Sequence, residues 1–225
     1  MMGANRCYAC DATGLPTFPG VVRPPALSAY PLAARRIETL FIGWNPPRPF
    51  GGFWSVDGPD NLREELHGIL RILGRFRAPR PNEDFLAEFL DSGYYFVHAV
   101  KCWSAAKYPG FGRGAKRSAR AEMGEPLLEA CAKAHLQDEL RALDPARVCA
   151  LGELAYCALR VLDEGLDPAA RPSEGRTFIR GVRTVLYTCF PSGNLVRGRR
   201  AREYTRDHLG RLFGAIAGRT KEHEA

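Results

Sequence analysis

What this chain lacks narrows it first. No run of about 18 apolar residues occurs, which argues against a membrane span. The opening MMGANRCYAC has no long apolar stretch, so no secretory signal is visible and a cytoplasmic location is expected. There is no Gly-rich phosphate loop of the P-loop or dinucleotide type, which counts against an unrelated nucleotide-binding α/β protein. No internal repeat is found, and no low-complexity segment beyond a Pro-rich N-terminus. Acidic residues are the scarcer charge: 25 Asp and Glu face 32 Lys and Arg, and a pI near 9.2 points to a polyanionic partner.

What is present is enough for one sizeable core. The 225 residues fit one domain, and 45% of them are hydrophobic. The basic excess is mostly arginine, whose fork suits phosphates. Arg197, Arg199, Arg200, Arg202, Arg206 and Arg211 crowd a C-terminal segment, and Arg113, Lys116, Arg117 and Arg120 a central one. The central cluster reads equally well as solvated surface charge. Seven cysteines without a signal peptide argue against a disulfide framework. Cys149, Cys157 and Cys189 lie in apolar runs and read as buried small hydrophobes. Cys7, Cys10, Cys102 and Cys131 do not.

Strand and helix signals alternate along the chain. Residues 11–35 read as extended loop, Ile37–Trp44 as a short buried strand, and Asn61–Leu73 and Asn82–Ser92 as helices begun by Asn or Asp. Gly93–Trp103 is β-rich, and Pro126–Leu143 is an amphipathic helix with proline in its first turn. Arg147–Leu151 is a strand that turns at Gly152 into a helix. Further strand follows as a hairpin through Gly181, and a helix from about Arg200 closes the chain. The expectation is a single-domain α/β fold, a three-layer α/β/α sandwich around a mostly parallel sheet of four to five strands. Its boundaries are an N-terminal Cys-containing segment 1–36, the α/β domain 37–218 and a tail 219–225. Ligands in such sheets bind beyond the carboxyl ends of the strands, where Asn45–Trp54, His98–Trp103 and Phe190–Arg200 fall.

The stretch LFIGWNPPRPFGGFW, Leu40–Trp54, ends a strand on one polar amide and builds a rigid aromatic loop around it. Alone, Asn45 reads as a turn residue before proline. GWNPP (Gly43–Pro47) resembles the water-activating motif of the mismatch-specific, thymine and single-strand-selective branches of the uracil-DNA glycosylase superfamily. FPSGNLVRGRR (Phe190–Arg200) resembles its second motif, a Pro-Ser loop that enters the minor groove. VHAVKCW and DPARVCALGELAY are similar to the iron–sulfur branch of the same superfamily. The resemblance covers about residues 7–215, in the family's order.

That resemblance implies a monofunctional DNA glycosylase removing uracil or a related deaminated base from single- or double-stranded DNA, acting as a monomer without a membrane. Asn45 and Ser192 take the catalytic places. An amide oxygen cannot act as a strong base, but it can accept from a water and orient it at the anomeric carbon. Pro46 and Pro47 stiffen the turn that holds it. Gly43, Trp44, Phe53, His98 and Phe190 are implied at the base; Phe50, Phe53 or Trp54 would supply the stacking ring, Phe53 being the one expected, with core packing the plain alternative for Trp54. His98 stands where the iron–sulfur branch has an Asn that reads the pyrimidine edge. Phe190 stands where many branches have a His, so leaving-group stabilisation must come from elsewhere, such as backbone N–H groups. Pro191, Ser192, Gly193 and Asn194 form the DNA-contacting turn, Leu195 is the candidate wedge, and Arg197, Arg199 and Arg200 hold flanking phosphates. No lysine stands at the attacking face, so no Schiff-base lyase step is expected.

The iron–sulfur branch also implies a 4Fe–4S cluster on Cys7, Cys10, Cys102 and Cys131. Thiolates hold zinc as readily, so zinc or no metal stays open. Two other readings remain. One is a superfamily member that binds nucleic acid without excision, and the other is an unrelated metal-stabilised nucleotide-binding α/β protein.

Overall fold

Four of the apolar runs lie side by side as parallel strands. The computed structural model describes residues 21–22, 36–44, 52–54, 60–101, 103–104, 128–181, 183–191 and 196–219. Its central sheet comprises β2 (Thr39–Gly43), β3 (Tyr94–His98), β5 (Arg147–Leu151), β6 (Thr177–Arg180) and β7 (Arg183–Thr188), in the order β3-β2-β5-β7-β6. β3, β2, β5 and β7 run parallel, and β6 adds antiparallel at one edge through a turn containing Gly181 at φ 61°. Two short strands, β1 (Val21–Val22) and β4 (Trp103–Ser104), form a separate antiparallel pair.

Both faces of the sheet are covered, which is why its strands read as continuous apolar runs rather than alternating ones. Leu40, Ile42, Tyr95, Val97, Val148, Ala150, Val185 and Tyr187 point to one face. There they meet α3 (residues 128–143) and α4 (Glu153–Leu162). Phe41, Tyr94, Phe96, Cys149, Leu151 and Leu186 point to the other face. They meet α1 (Asn61–Ile72), α2 (Glu83–Asp91) and α5 (Val196–Arg219). This is the three-layer α/β/α arrangement the sequence led us to expect. No helix among the described residues is long and apolar enough to cross a membrane.

The crossovers fix where the two faces part. From β2 the chain passes through α1 and α2 to β3 on one side. From β5 it passes through α4 toward β7 on the other side, over the opposite face. The adjacent strands β2 and β5 therefore flank the switch point, the position where open α/β sheets leave a crevice beyond their carboxyl ends.

Helix α3 is not α-helical throughout: Ala132–Leu136 form a π turn. Among its buried residues, Leu128, Ala132, Leu136 and Leu140 recur every fourth position. In an α-helix of 3.6 residues per turn, that spacing drifts by about 40° per step and would carry Leu140 off the core. The wider turn takes up most of the drift.

Several boundaries differ from the sequence expectation. β3 stops at His98 because the chain bends at Ala99 and Val100, whose N–H groups donate to the Gly43 and Trp44 carbonyls at 2.9 and 2.8 Å. The last helix begins at Val196, earlier than expected, so Arg197 and Arg199 are helical as well as Arg200. Asn82 is the N-cap of α2 but makes no side-chain cap bond, whereas Asp60 caps α1 by accepting from Arg63 N at 2.6 Å. Cys149 is buried as expected, but Cys157 and Cys189 are only half-buried. The central basic cluster at residues 113–120 lies outside the described residues.

Candidate functional site

The carboxyl edge of the sheet gathers the ends of the segments picked out in the sequence. β2 ends at Gly43, which pairs in register with His98, the last residue of β3. A Cβ on Gly43 would meet Phe96 Cζ at 2.7 Å, so a larger residue there would have to push that ring aside. β5 ends at Leu151 and turns at Gly152, whose φ of 90° suits glycine. A Cβ on Gly152 would meet Phe190 Cβ at 3.1 Å, so the segment leaving β7 closes directly over this turn. Two strand spacings, about 10 Å, separate the lines of β2 and β7.

Of the residues implied at the base, Gly43, Trp44, Phe53, His98 and Phe190 are described, as is Pro191. Trp44 is half-buried directly after β2. Asn45, Ser192, Gly193, Asn194 and Leu195 lie outside the described residues. Arg197, Arg199 and Arg200 occupy the first turns of α5, and Pro191 is buried after β7. Phe190, next to the β7 end, is 37% exposed, an open ring at this edge.

Phe53, expected to stack on the base, is a core ring. It is 1% exposed and stacked on Phe96 at 4.5 Å and 25°, with Phe85, Phe89 and Trp54 around it. A base would have to displace Phe96 to reach that face. Trp54 is half-buried and packs against the core on both sides of the sheet, its Nε1 donating to Phe96 O at 3.1 Å. The aromatic turn Gly52–Trp54 is held from below by Arg63 of α1, whose guanidinium donates to the Gly52 and Phe53 carbonyls at 3.3 and 3.2 Å. Nothing in the sequence marks Arg63, because its partners are backbone oxygens ten residues away.

His98 is 5% exposed, with its ring edge-on to Phe96 at 4.8 Å and 89°. Burial, and then the nearby Lys101 ammonium, lower its pKa to about 3. The imidazole is neutral at working pH, so it carries one N–H donor and one acceptor nitrogen. Lys101, 8% exposed, donates to His98 O and to Glu139 Oε2 of α3 at 2.5 Å. Burial pushes the Lys101 pKa down and that of Glu139 up, while each charge opposes the shift of the other.

At the far side of the edge, α5 is fastened to the end of β7. Thr205 Oγ1 donates to Cys189 O at 2.9 Å and to Ala201 O at 2.8 Å. Thr188 Oγ1 and His208 Nδ1 are hydrogen-bonded at 2.7 Å, and burial holds the His208 pKa below its ordinary value. Sequence reading did not single out Thr188, Thr205 or His208; polar residues recurring on an otherwise amphipathic helix were the only signal.

Among the four cysteines, Cys131 alone is described. It is fully buried on α3, close enough to Lys101 to act on its pKa, and Lys101 directly precedes Cys102. Val22 pairs with Trp103, which brings the N-terminal arm to the residue following Cys102. Cys7, Cys10 and Cys102 lie outside the described residues. Among the described residues no group of three or more His, Cys, Asp or Glu is disposed to hold a metal. The chain matches no family model, and no curated protein matches it.

Proposed function

We propose that the protein is a monofunctional DNA glycosylase that excises uracil or a related deaminated base. The observation that carries this reading is the convergence at one sheet edge. The strand leading to Asn45, the neutral His98 and the segment Phe190–Pro191 all end beside the switch point. In this reading the base leaves the stack, at a cost of a few kcal/mol, and enters the crevice. The His98 N–H donates to a base carbonyl oxygen. The Asn45 amide oxygen accepts from a water and aims it at the anomeric carbon as the N-glycosidic bond breaks. Ser192 and the N–H groups of its turn face the departing base and the phosphate, since Phe190 offers no donor. Arg197, Arg199 and Arg200 bind flanking phosphates.

Cys7, Cys10, Cys102 and Cys131 would hold a 4Fe–4S cluster or zinc that fastens the N-terminal arm to the fold. The closeness of Cys131 to Lys101 fits that ligand set.

One observation favours a second reading, binding without excision: Phe190, the exposed ring of the second motif, has no hydrogen-bonding group. A single assay decides between them. Oligonucleotides carrying uracil, hypoxanthine or xanthine are incubated with the protein, and abasic sites are revealed by alkaline cleavage. Excision is expected, with Asn45→Ala about 100-fold slower at unchanged DNA affinity, because water positioning and not phosphate contact is removed. Absence of abasic product on every substrate leaves the binding reading.

A further inference from the structure

Helix α5 carries seven arginines against two acidic residues, Glu203 and Asp207. The four whose side chains are described fall into two sets. Arg202 is bound to Glu65 of α1 at 3.0 Å, and Arg206 to Asp207 at 3.0 Å. Arg200 and Arg211 are exposed, and among the described residues neither has a carboxylate partner. Spacings of three and four residues place Arg200, Tyr204, His208 and Arg211 along one stripe of the helix. The arginines of this stripe are the ones left for an external anion.

Tyr204 sits in the middle of the stripe. It is 41% exposed and lies nearly parallel to the His208 ring, at 6.0 Å and 15°. His208 is in turn buried and fixed to Thr188. Tyr204 is therefore a supported ring with an open side. Its neighbour Thr205 is bonded to Cys189 O, and Phe190 follows Cys189. The two exposed rings, Tyr204 and Phe190, thus each stand one residue, ~3.8 Å of chain, from the same hydrogen bond.

We propose that Tyr204 and Phe190, flanked by Arg200 and Arg211, form a stacking surface for single-stranded DNA leading into the crevice. Exposed rings interleaved with unpaired cations are what an unpaired strand requires, since every base offers a π-face and every linkage an anion. In a duplex the base faces are covered, so a ring gains nothing there. This deepens the glycosylase reading by giving it a strand preference, and rests on it for the identity of the polymer.

The test is fluorescence anisotropy with labelled oligonucleotides containing no deaminated base, single-stranded and duplex. Binding is thus read whether or not the protein excises anything. Tyr204→Ala is expected to weaken single-strand binding about ten-fold, the loss of one base–aromatic stack, with duplex binding unchanged. Tyr204→Phe keeps the ring and is expected to bind as the wild type does. Replacing Arg200 and Arg211 by Ala is expected to lower the slope of log affinity on log salt by about 0.7 per residue on single strands. Unfolding curves confirm that each variant is folded. The proposal is overturned if Tyr204→Ala binds single strands normally, if it loses single-strand and duplex affinity equally, or if the wild type binds only duplex. Uracil excision that persists alongside any of those results would leave the glycosylase reading standing by itself.

Discussion

Lowering the pH from about 7 to about 4.5 should destabilise this protein through His98, and the size of the effect can be worked out. The ring has an ordinary pKa of 6.5 and a folded value of about 3, set first by burial and then by Lys101. Between those values the unfolded chain binds a proton that the folded chain refuses. The stabilisation is therefore fully present above pH 6.5 and is lost as pH falls toward the folded pKa. Each unit costs ~1.4 kcal/mol, so two units below 6.5 remove about 3 kcal/mol, a large part of a typical 5–15 kcal/mol. Asp60 and Glu139, whose burial raises their pKa values, act in the opposite sense. They are common to the wild type and a His98→Asn variant, so subtracting the two urea-unfolding free energies at each pH isolates the imidazole. The difference should shift by about 3 kcal/mol in favour of the variant as the pH falls. A difference that stays flat across the range would mean that His98 is hydrated or already protonated in the folded protein, and the neutral donor assigned to it would go too.

Breaking the buried Lys101–Glu139 pair with Lys101→Met should cost about 3–5 kcal/mol in urea unfolding. The double variant with Glu139→Leu should recover most of this, because the stranded charge and not the missing bond carries the penalty. Gly43→Ala should destabilise by about 1–3 kcal/mol, since the added methyl meets a Phe96 ring pinned against Phe53; an unchanged unfolding midpoint would show that the ring yields freely. For the proposed cluster, anaerobically purified protein should be brown and contain iron, and Cys10→Ser should lower iron content and stability together. Zinc analysis separates a colourless zinc site from none, and a metal-free protein indifferent to Cys10→Ser ends the proposal.

The sheet was legible because parallel strands covered on both faces leave unbroken apolar runs, as in TLFIG and RVCAL, and because Gly152 and Gly181 mark the turns after them. The site was legible only where it follows a strand end. Phe53, the expected stacking ring, proves the more deeply buried of two adjacent aromatics that both pack against Phe89, and the sequence carries no cue as to which goes deeper. Arg63, Glu139 and His208 escaped notice for a shared reason. Each acts on a partner at least ten residues away, a carbonyl, an ammonium or a hydroxyl, which no local periodicity encodes. The start of α5 was expected too late because glycine and arginine at 197–200 resemble a loop, whereas the helix runs from Val196.

The π turn of α3 makes the length of that helix as consequential as its composition. Cys131 and Glu139 are eight positions apart, which in an uninterrupted α-helix would set them about 80° apart around the axis. The turn absorbs one residue, so they behave as if seven apart and fall within about 20°, and both reach Lys101. Deleting any one residue of Ala132–Leu136 would leave the composition nearly intact and restore a regular helix. Seven positions would then separate Cys131 from Glu139, still an angle of about 20°, so the deletion should keep both beside Lys101, whereas straightening the turn at constant length would swing Glu139 away from its cation by about a quarter turn. The π turn thus lets a helix one residue longer than a regular one present both side chains to the same strand end, and a further insertion, not a deletion, is the change that would part them.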